Sequence, residues 1–273
     1  MQNEDTKEDI RKLRQVLLLI ANDLAKLCDE YNIKYSLSGG SQLGAVRHHG
    51  FIPWDDDMDL EMKREEYEKF LIICDKYLDK SKYLLLTSKW ENYPFEFAKI
   101  QLKGTEIIED FSKNADVPHG IFIDIFPYDN LPDSKYKRKS FLFKNHLLKN
   151  ILWVKCGYGS EEQKRSIKFK LFKILGLFSS KRKLKKQRKK LITKYNNVDT
   201  QYCFASDYPD QFLKNEWFEH TKKYKFEDTE FWGLEDYDSY LKALYGDYMK
   251  IPPVEQRETH THYKINFGKY ANM

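Results

Sequence analysis

Read as a pattern of apolar and polar positions, the chain opens with a long amphipathic helix. Thr6 and Asp9 mark its start, and Leu13, Val16, Leu17, Ile20, Leu24 and Leu27 recur at helical spacing to about Glu30. IKYSLSGG then reads as a short strand ending at two glycines, and SQLGAVRHHG as a short helix stopped by Gly50. Alternation in DMDLEM predicts a strand from Asp57, followed by a second amphipathic helix in REEYEKFLIICDKYL. YLLLTS, FEFAKIQLKG and GIFIDIFPYD predict further strands, the last ended by Pro127 and the polar turn YDNLPDS. Beyond Ser134 the chain turns basic and helical, then aromatic and acidic from Gln201 onward. The coarse picture is an α+β protein. A mixed sheet with helices occupies residues 1–134, and a mostly helical part, 135–273, completes the site.

Composition narrows the class. A hydrophobic content of 41%, with 15% aromatic residues, supplies a packed interior and excludes wholesale disorder. No stretch approaches the roughly 18 to 20 apolar residues of a membrane span, and the polar start MQNEDTKED is unlike a secretory signal. Cys28, Cys74, Cys156 and Cys203 stand far apart, which suits reduced thiols in a cytoplasmic protein better than a zinc site or a disulfide framework. The net charge of +5 is unevenly placed. Residues 164–190 hold 13 Lys or Arg and no acid, leaving 34 basic against 42 acidic residues elsewhere. Phe169, Phe172, Ile174, Leu175, Leu177 and Phe178 interleave with those cations. Such a segment suits the headgroup layer of an anionic membrane, and equally a helix packed on the core with its lysines in water.

The chemistry lies in three short pieces. On a strand, Asp57 and Asp59 point to one face while Met58 and Leu60 point to the other. Two carboxylates about 7 Å apart along a strand can share a hard cation. Asp124 sits between Ile123 and Ile125 in an otherwise apolar strand, where a lone carboxylate needs a partner. If its strand runs beside that of Asp57, Asp124 is the third ligand of the same ion. Ser38-Gly39-Gly40-Ser41 joins a strand to a helix, so its backbone can approach a phosphate at the positive helix N-terminus.

A Gly-Ser turn, an Asp-x-Asp strand and a third strand carboxylate resemble the nucleotidyltransferase, or polymerase-β-like, superfamily. Within it, SGGSQLGAVRHHGFIPWDDDMDLEMKREEYEKF, LKGTEII, HGIFIDIFPYD and YGDYMKIPPVEQRETHTH resemble the LicD family of phosphocholine transferases, which also holds the fukutin-type polyol-phosphate transferases. The likeness covers about Tyr35–Asp129 and Tyr245–Tyr270; Ser41-Gln42 departs from the Thr-Leu common in the family. It implies Mg²⁺- or Mn²⁺-dependent transfer of phosphocholine from CDP-choline to a sugar hydroxyl of a glycan precursor of the teichoic acid or lipopolysaccharide type, releasing CMP. Asp57, Asp59 and Asp124 would then be metal ligands and catalytic residues, Asp124 taking the acceptor's proton. Gly40, Ser41, Arg47, Lys99 and His260 would contact substrate. Trp54 would offer a ring to the choline, which as a quaternary ammonium is held by aromatic faces and carboxylates.

The family likeness also implies a lipid-linked acceptor and a peripheral enzyme on the inner face of the cell membrane, docked through 164–190. Other CDP-alcohols, carrying ribitol or glycerol phosphate, are the nearest alternative donors. A template-free RNA nucleotidyltransferase would use the same Gly-Ser and Asp-x-Asp logic, but no RNA-binding signature accompanies the basic stretch, and no nucleic acid partner is expected. A non-catalytic membrane adaptor is disfavoured because all three carboxylates are present.

Overall fold

The first apolar stripe forms α1 (Lys7–Glu30) in the computed structural model of the protein, which describes residues 7–208, 211–257 and 262–272. Leu13, Val16, Leu17, Ile20 and Leu24 are buried as the spacing predicts, while Cys28 is buried in place of the half-exposed Leu27. Thr6 lies outside the described residues. After the short strand β1 (Ser36–Leu37), helix α2 (Gly39–His48) ends at His49, whose left-handed conformation (φ 58°) stops it one residue before Gly50. Strand β2 (Asp59–Lys63) leads into α3 (Arg64–Tyr77). There follow β3 (Tyr83–Leu86), β4 (Ala98–Leu102), β5 (Glu106–Glu109) and the long β6 (Ile121–Leu131).

The sheet runs β1-β2-β6-β4-β3, with β2 and β6 parallel and the other neighbours antiparallel. Contrary to expectation, β6 does not stop at Pro127. Its β4 partner ends opposite Ile125 and its next partner, β7 (Tyr202–Ala205), begins opposite Tyr128. Pro127 falls in the gap between them, where a missing N–H removes no ladder bond on that side. A short β8 (Phe212–Lys214) pairs with β7. One face of the sheet carries Leu60, Met62, Ala98, Ile100, Ile123 and Ile125 into the main core beneath α1 and α3. By the strand period, Asp59, Glu61, Lys99 and Asp124 occupy the opposite face.

Residues 135–192 are helical: α4 (Lys135–Lys155), α5 (Glu161–Arg165), α6 (Ile167–Gly176) and α7 (Lys181–Ile192). The chain then returns to strands, with the hairpin β9 (Thr221–Phe226) and β10 (Thr229–Leu234), followed by α8 (Tyr237–Tyr245) and by β11 (His262–Asn266), which pairs with β5. The boundary expected at 134 falls between β6 and α4, and the sheet continues across it through β7.

The basic stretch is not one surface. In α7, Leu184, Arg188 and Ile192 are buried, and Lys189 reaches Glu68 at 2.6 Å. In α6 and the two residues after it, the apolar side chains Ile167, Leu171, Ile174, Leu177 and Phe178 are exposed instead. Among the described residues no helix is long and apolar enough to cross a membrane, and all four cysteines are buried and unpaired.

Candidate active site

The aspartate-rich loop between α2 and β2 is pinned from below by α1. Arg14 Nε donates to the Asp55 carbonyl at 3.0 Å, and its Nη2 to the Asp55 and Ile52 carbonyls at 2.7 and 2.9 Å. At the loop's start, Glu227 Oε1 accepts from the Phe51 amide at 3.0 Å; any side chain on Gly50 would collide with that carboxylate. β2 begins at Asp59, two residues later than the alternation predicts, so Asp57 projects from the loop and not from the strand.

Ser41 Oγ accepts from the Asp59 amide at 2.9 Å and thereby ties the glycine turn to the first residue of β2. Gly39 takes φ +47°, and its amide donates to Tyr240 Oη at 2.8 Å. That hydroxyl donates to Glu61 Oε2 at 2.9 Å, while Ser36 Oγ donates to Glu61 Oε1 at 3.1 Å. Burial pushes the Glu61 carboxyl up to about 7 even though these hydroxyls pull the other way. Helix α8 is thus bolted onto the glycine turn. A side chain at Gly40 would begin 3.1 Å from Asp55 Oδ2, and one at Gly39 3.2 Å from the Tyr245 hydroxyl.

Asp59 and Asp124 are direct neighbours across the parallel ladder, and Lys99 is the antiparallel neighbour of Asp124 on its other side. Strands about 4.8 Å apart bring both carboxylates to one point of the sheet face. Burial raises the Asp59 carboxyl well above its usual range, and the charges of Asp57, Asp124 and Asp55 add to that. Burial raises Asp124 to about 7, with Lys99 opposing and Glu109 reinforcing the shift. Lys99 Nζ lies 3.2 Å from Asp124 Oδ1 and 4.0 Å from Glu109 Oε2. The buried Asp124 Oδ1 nonetheless accepts no hydrogen bond. Crowded carboxylates with raised proton affinity and an oxygen left over are a donor set that fits a hard divalent cation. Among the described residues no three His, Cys, Asp or Glu side chains already converge on one point. The expected ligands are therefore neighbours and not a closed cage, with Asp124 turned toward Lys99.

The structure brings Asp57, Asp59, Lys99 and Asp124 together in the lining of a cavity of about 250 Å³. Gly40 and Ser41 stand behind it. Arg47 and Trp54 belong to a separate corner: Arg47 donates to the Tyr248 carbonyl and to His48 Nε2, and the Trp54 ring carries Arg257 at 4.4 Å and Arg47 at 5.9 Å. His260 lies outside the described residues. The structure adds residues the sequence reading did not find. Glu109, Asp207 and Tyr208 line the cavity; Arg14, Glu61 and Tyr240 hold its frame. Only Glu109 carried a local hint, as an acid at the end of a β-branched run; the others are brought in by contacts far along the chain.

A sequence profile described as LicD/FKTN/FKRP, nucleotidyltransferase domain, matches residues 32–158. The lipopolysaccharide cholinephosphotransferase LicD of Haemophilus influenzae is 32% identical over 270 residues, spanning 93% of this chain and 96% of that protein. The chain belongs to the LicD family. Two uncharacterized rickettsial proteins also match: one of Rickettsia typhi at 31% over 133 residues (47% of this chain, 40% of that one), and one of Rickettsia prowazekii at 44% over 50 residues (18% and 19%). The α+β sheet with its flanking helices is consistent with a LicD nucleotidyltransferase-like fold. The matched LicD domain contains the three aspartates, Lys99 and Glu109, whereas Asp207, Tyr208, Tyr240 and Tyr245 lie beyond it. In this LicD chain the cavity beside the aspartates is completed by Asp207 and Tyr208, outside the domain match.

Proposed function

We propose that the protein transfers phosphocholine from CDP-choline to a sugar hydroxyl of a cell-surface glycan precursor, of the lipopolysaccharide or teichoic acid type. The observation that carries this reading is the placement of Asp59 and Asp124 as ladder neighbours, with Asp57 beside them, at the mouth of an aromatic cavity. The Haemophilus relative, named as a lipopolysaccharide cholinephosphotransferase, supports the choice of reaction and acceptor. Magnesium or manganese held by Asp57, Asp59 and Asp124 would supply neutralisation of the diphosphate and of the leaving CMP. Asp124 would take the proton of the acceptor hydroxyl as the acceptor oxygen bonds to phosphorus. The bond from phosphorus to the CMP oxygen breaks, and its electron pair leaves with CMP. Lys99, in the cavity lining beside Asp124, would offer a positive charge to the transferring phosphoryl oxygens, and the N-terminal turn of α2 at Gly40 would offer its amides to phosphate. CMP release from CDP-choline, with and without Mg²⁺, tests the reading. Metal-dependent release by the wild type, lost in an Asp57→Asn/Asp59→Asn variant, is the expected result. Release from CDP-ribitol or CDP-glycerol but not from CDP-choline would transfer the proposal to those donors.

Recruitment to a lipid-borne acceptor, on the inner face of the cell membrane, we assign to α6 alone and not to the whole of 164–190. Its exposed Ile174, with Leu177 and Phe178 just after its end (54, 74 and 78% exposed), is flanked by the exposed Lys168, Lys170 and Lys173, a pattern that suits an anionic headgroup layer. Cosedimentation with phosphatidylglycerol vesicles, lost in Ile174→Asp/Phe178→Asp, is the expected outcome; equal binding by both proteins would remove this role.

A further inference from the structure

The cavity beside the aspartates is lined by two chemically different sets of side chains. One is the carboxylates Asp57, Asp59 and Asp124; the other is an aromatic wall of Phe95, Phe111, Phe122, Trp153 and Tyr208. These rings come from four places in the chain: the approach to β4, the segment around β5 and β6, the last turns of α4, and the turn after β7. Phe95, Phe111, Trp153 and Tyr208 are braced against one another or against neighbouring rings, while Phe122 packs against Lys99. Phe111 meets Trp153 edge-on at 6.3 Å, Phe95 meets Tyr158 at 5.3 Å, and Tyr208 meets Phe126 at 5.4 Å. Among the lining side chains six are carboxylates (Asp56, Asp57, Asp59, Glu109, Asp124, Asp207), while two, Lys99 and Lys149, are ammoniums. Asp207 is paired with Arg188 at 2.7 Å and Asp124 with Lys99 at 3.2 Å; the other four carboxylates keep the lining acidic.

The geometry points to this aromatic wall, where Phe111 and Trp153 meet edge-on, as the seat of the donor's quaternary ammonium, with Trp153 and Phe111 as specificity-determining residues. The inference rests on the phosphocholine-transfer reading above and names the pocket that would read the alcohol. A trimethylammonium head donates no hydrogen bond and is held by ring faces and negative charge. A polyol would set most of its hydroxyls against ring faces, and the buried Trp153 Nε1, which has no hydrogen-bond partner, would offer it a single donor. The cavity already shows that its rings accept a cation: Lys99 Nζ stands 3.1 Å from the centroid of Phe122. Its volume of about 250 Å³ lies below the roughly 300–1,000 Å³ of a site for a whole drug-sized ligand. It therefore suits the alcohol and reacting phosphoryl, with the nucleoside outside. Trp54, whose ring carries two guanidiniums instead, is not part of this wall.

The test compares wild type, Trp153→Leu, Phe111→Leu and Trp153→Phe in CMP release from CDP-choline and from CDP-ethanolamine, alongside calorimetric titration with phosphocholine. Thermal melts check each variant's folding. The two leucine variants are expected to raise KM for CDP-choline, and weaken phosphocholine binding, by about 2- to 30-fold. Their KM for CDP-ethanolamine should change much less, and Trp153→Phe should retain most of the choline preference. If the wild type turns over CDP-choline and the leucine variants keep its KM, or lose both donors equally, the pocket assignment falls and the function stands. Phosphocholine binding that depends on Trp153 without any turnover would keep the pocket and sink the reaction. Absence of both binding and turnover would overturn both.

Discussion

Arg188 offers the sharpest test of how the site's frame is held. It comes from the most basic stretch of the chain, yet it is 0% exposed. Its Nη2 donates to Asp207 Oδ1 at 2.7 Å and to the Ser206 carbonyl at 3.1 Å. Nη1 reaches the Pro94 carbonyl and Nε the Asn145 Oδ1, each at 3.1 Å. Asp207 in turn accepts from the Glu96 amide at 2.9 Å, so one guanidinium joins α4, α7, the approach to β4 and the turn after β7. Phe95 and Tyr208 of the cavity wall stand on two of those segments. Arg188→Met would leave the Asp207 carboxylate buried without its counter-ion and the Pro94 carbonyl without this donor. Breaking a buried pair from one side costs about 3–5 kcal/mol, which for a chain of this size is a fall in Tm of about 10 °C. Urea unfolding of wild type, Arg188→Met, Asp207→Asn and Arg188→Met/Asp207→Asn measures it. The double variant should be less destabilised than the sum of the single changes, because the stranded charge is gone. A loss below about 1 kcal/mol in Arg188→Met, or strict additivity in the cycle, would refute the reasoning.

Three further outcomes follow from the site. Asp59→Asn removes a like charge from a crowded, buried cluster, so the metal-free variant should melt higher than wild type at pH 8; Mg²⁺ or Mn²⁺ at about 100 times its Kd should raise only the wild-type stability, by roughly 2.7 kcal/mol, as read by differential scanning fluorimetry. Glu61 is raised from 4.5 to about 7 in the folded protein, so the fold binds its proton more tightly than the unfolded chain does. Its stabilising contribution is complete below pH 4.5 and disappears as pH rises through 7, an effect of about 3 kcal/mol; denaturation of Glu61→Gln from pH 4.5 to 8 should lack that slope relative to wild type. Ser41→Ala leaves the Asp59 amide without its acceptor and should lower stability by about 1–3 kcal/mol; an unchanged unfolding midpoint would show that the hydroxyl does not hold β2.

Much of the architecture near the aspartates was legible because it is local. The apolar stripe of α1, the glycine turn into α2 and the ladder strand around Asp124 each follow from a period or a turn residue within a dozen positions. Where local signals misplaced an edge, a neighbour decided it. β6 runs through Pro127 because its partners change there, and β2 starts at Asp59 while Asp57 stays in a loop held by Arg14.

By itself the sequence determined which residue types are available: an Asp-x-Asp, an isolated strand aspartate, a glycine turn and a cation-rich segment, together with the family they resemble. Only tertiary structure decided their partners. Hydropathy treats the lysines and arginines of 164–190 alike, yet Arg188 is enclosed and its neighbours are not, because one carboxylate and three carbonyl-type oxygens happen to meet at that position of α7. The Gly39 amide finds Tyr240, 201 positions away, and the aromatic wall assembles from four separate segments. A residue's period along the chain reports which face it occupies; what stands opposite that face is set by packing among elements distant in sequence, and no local pattern encodes it.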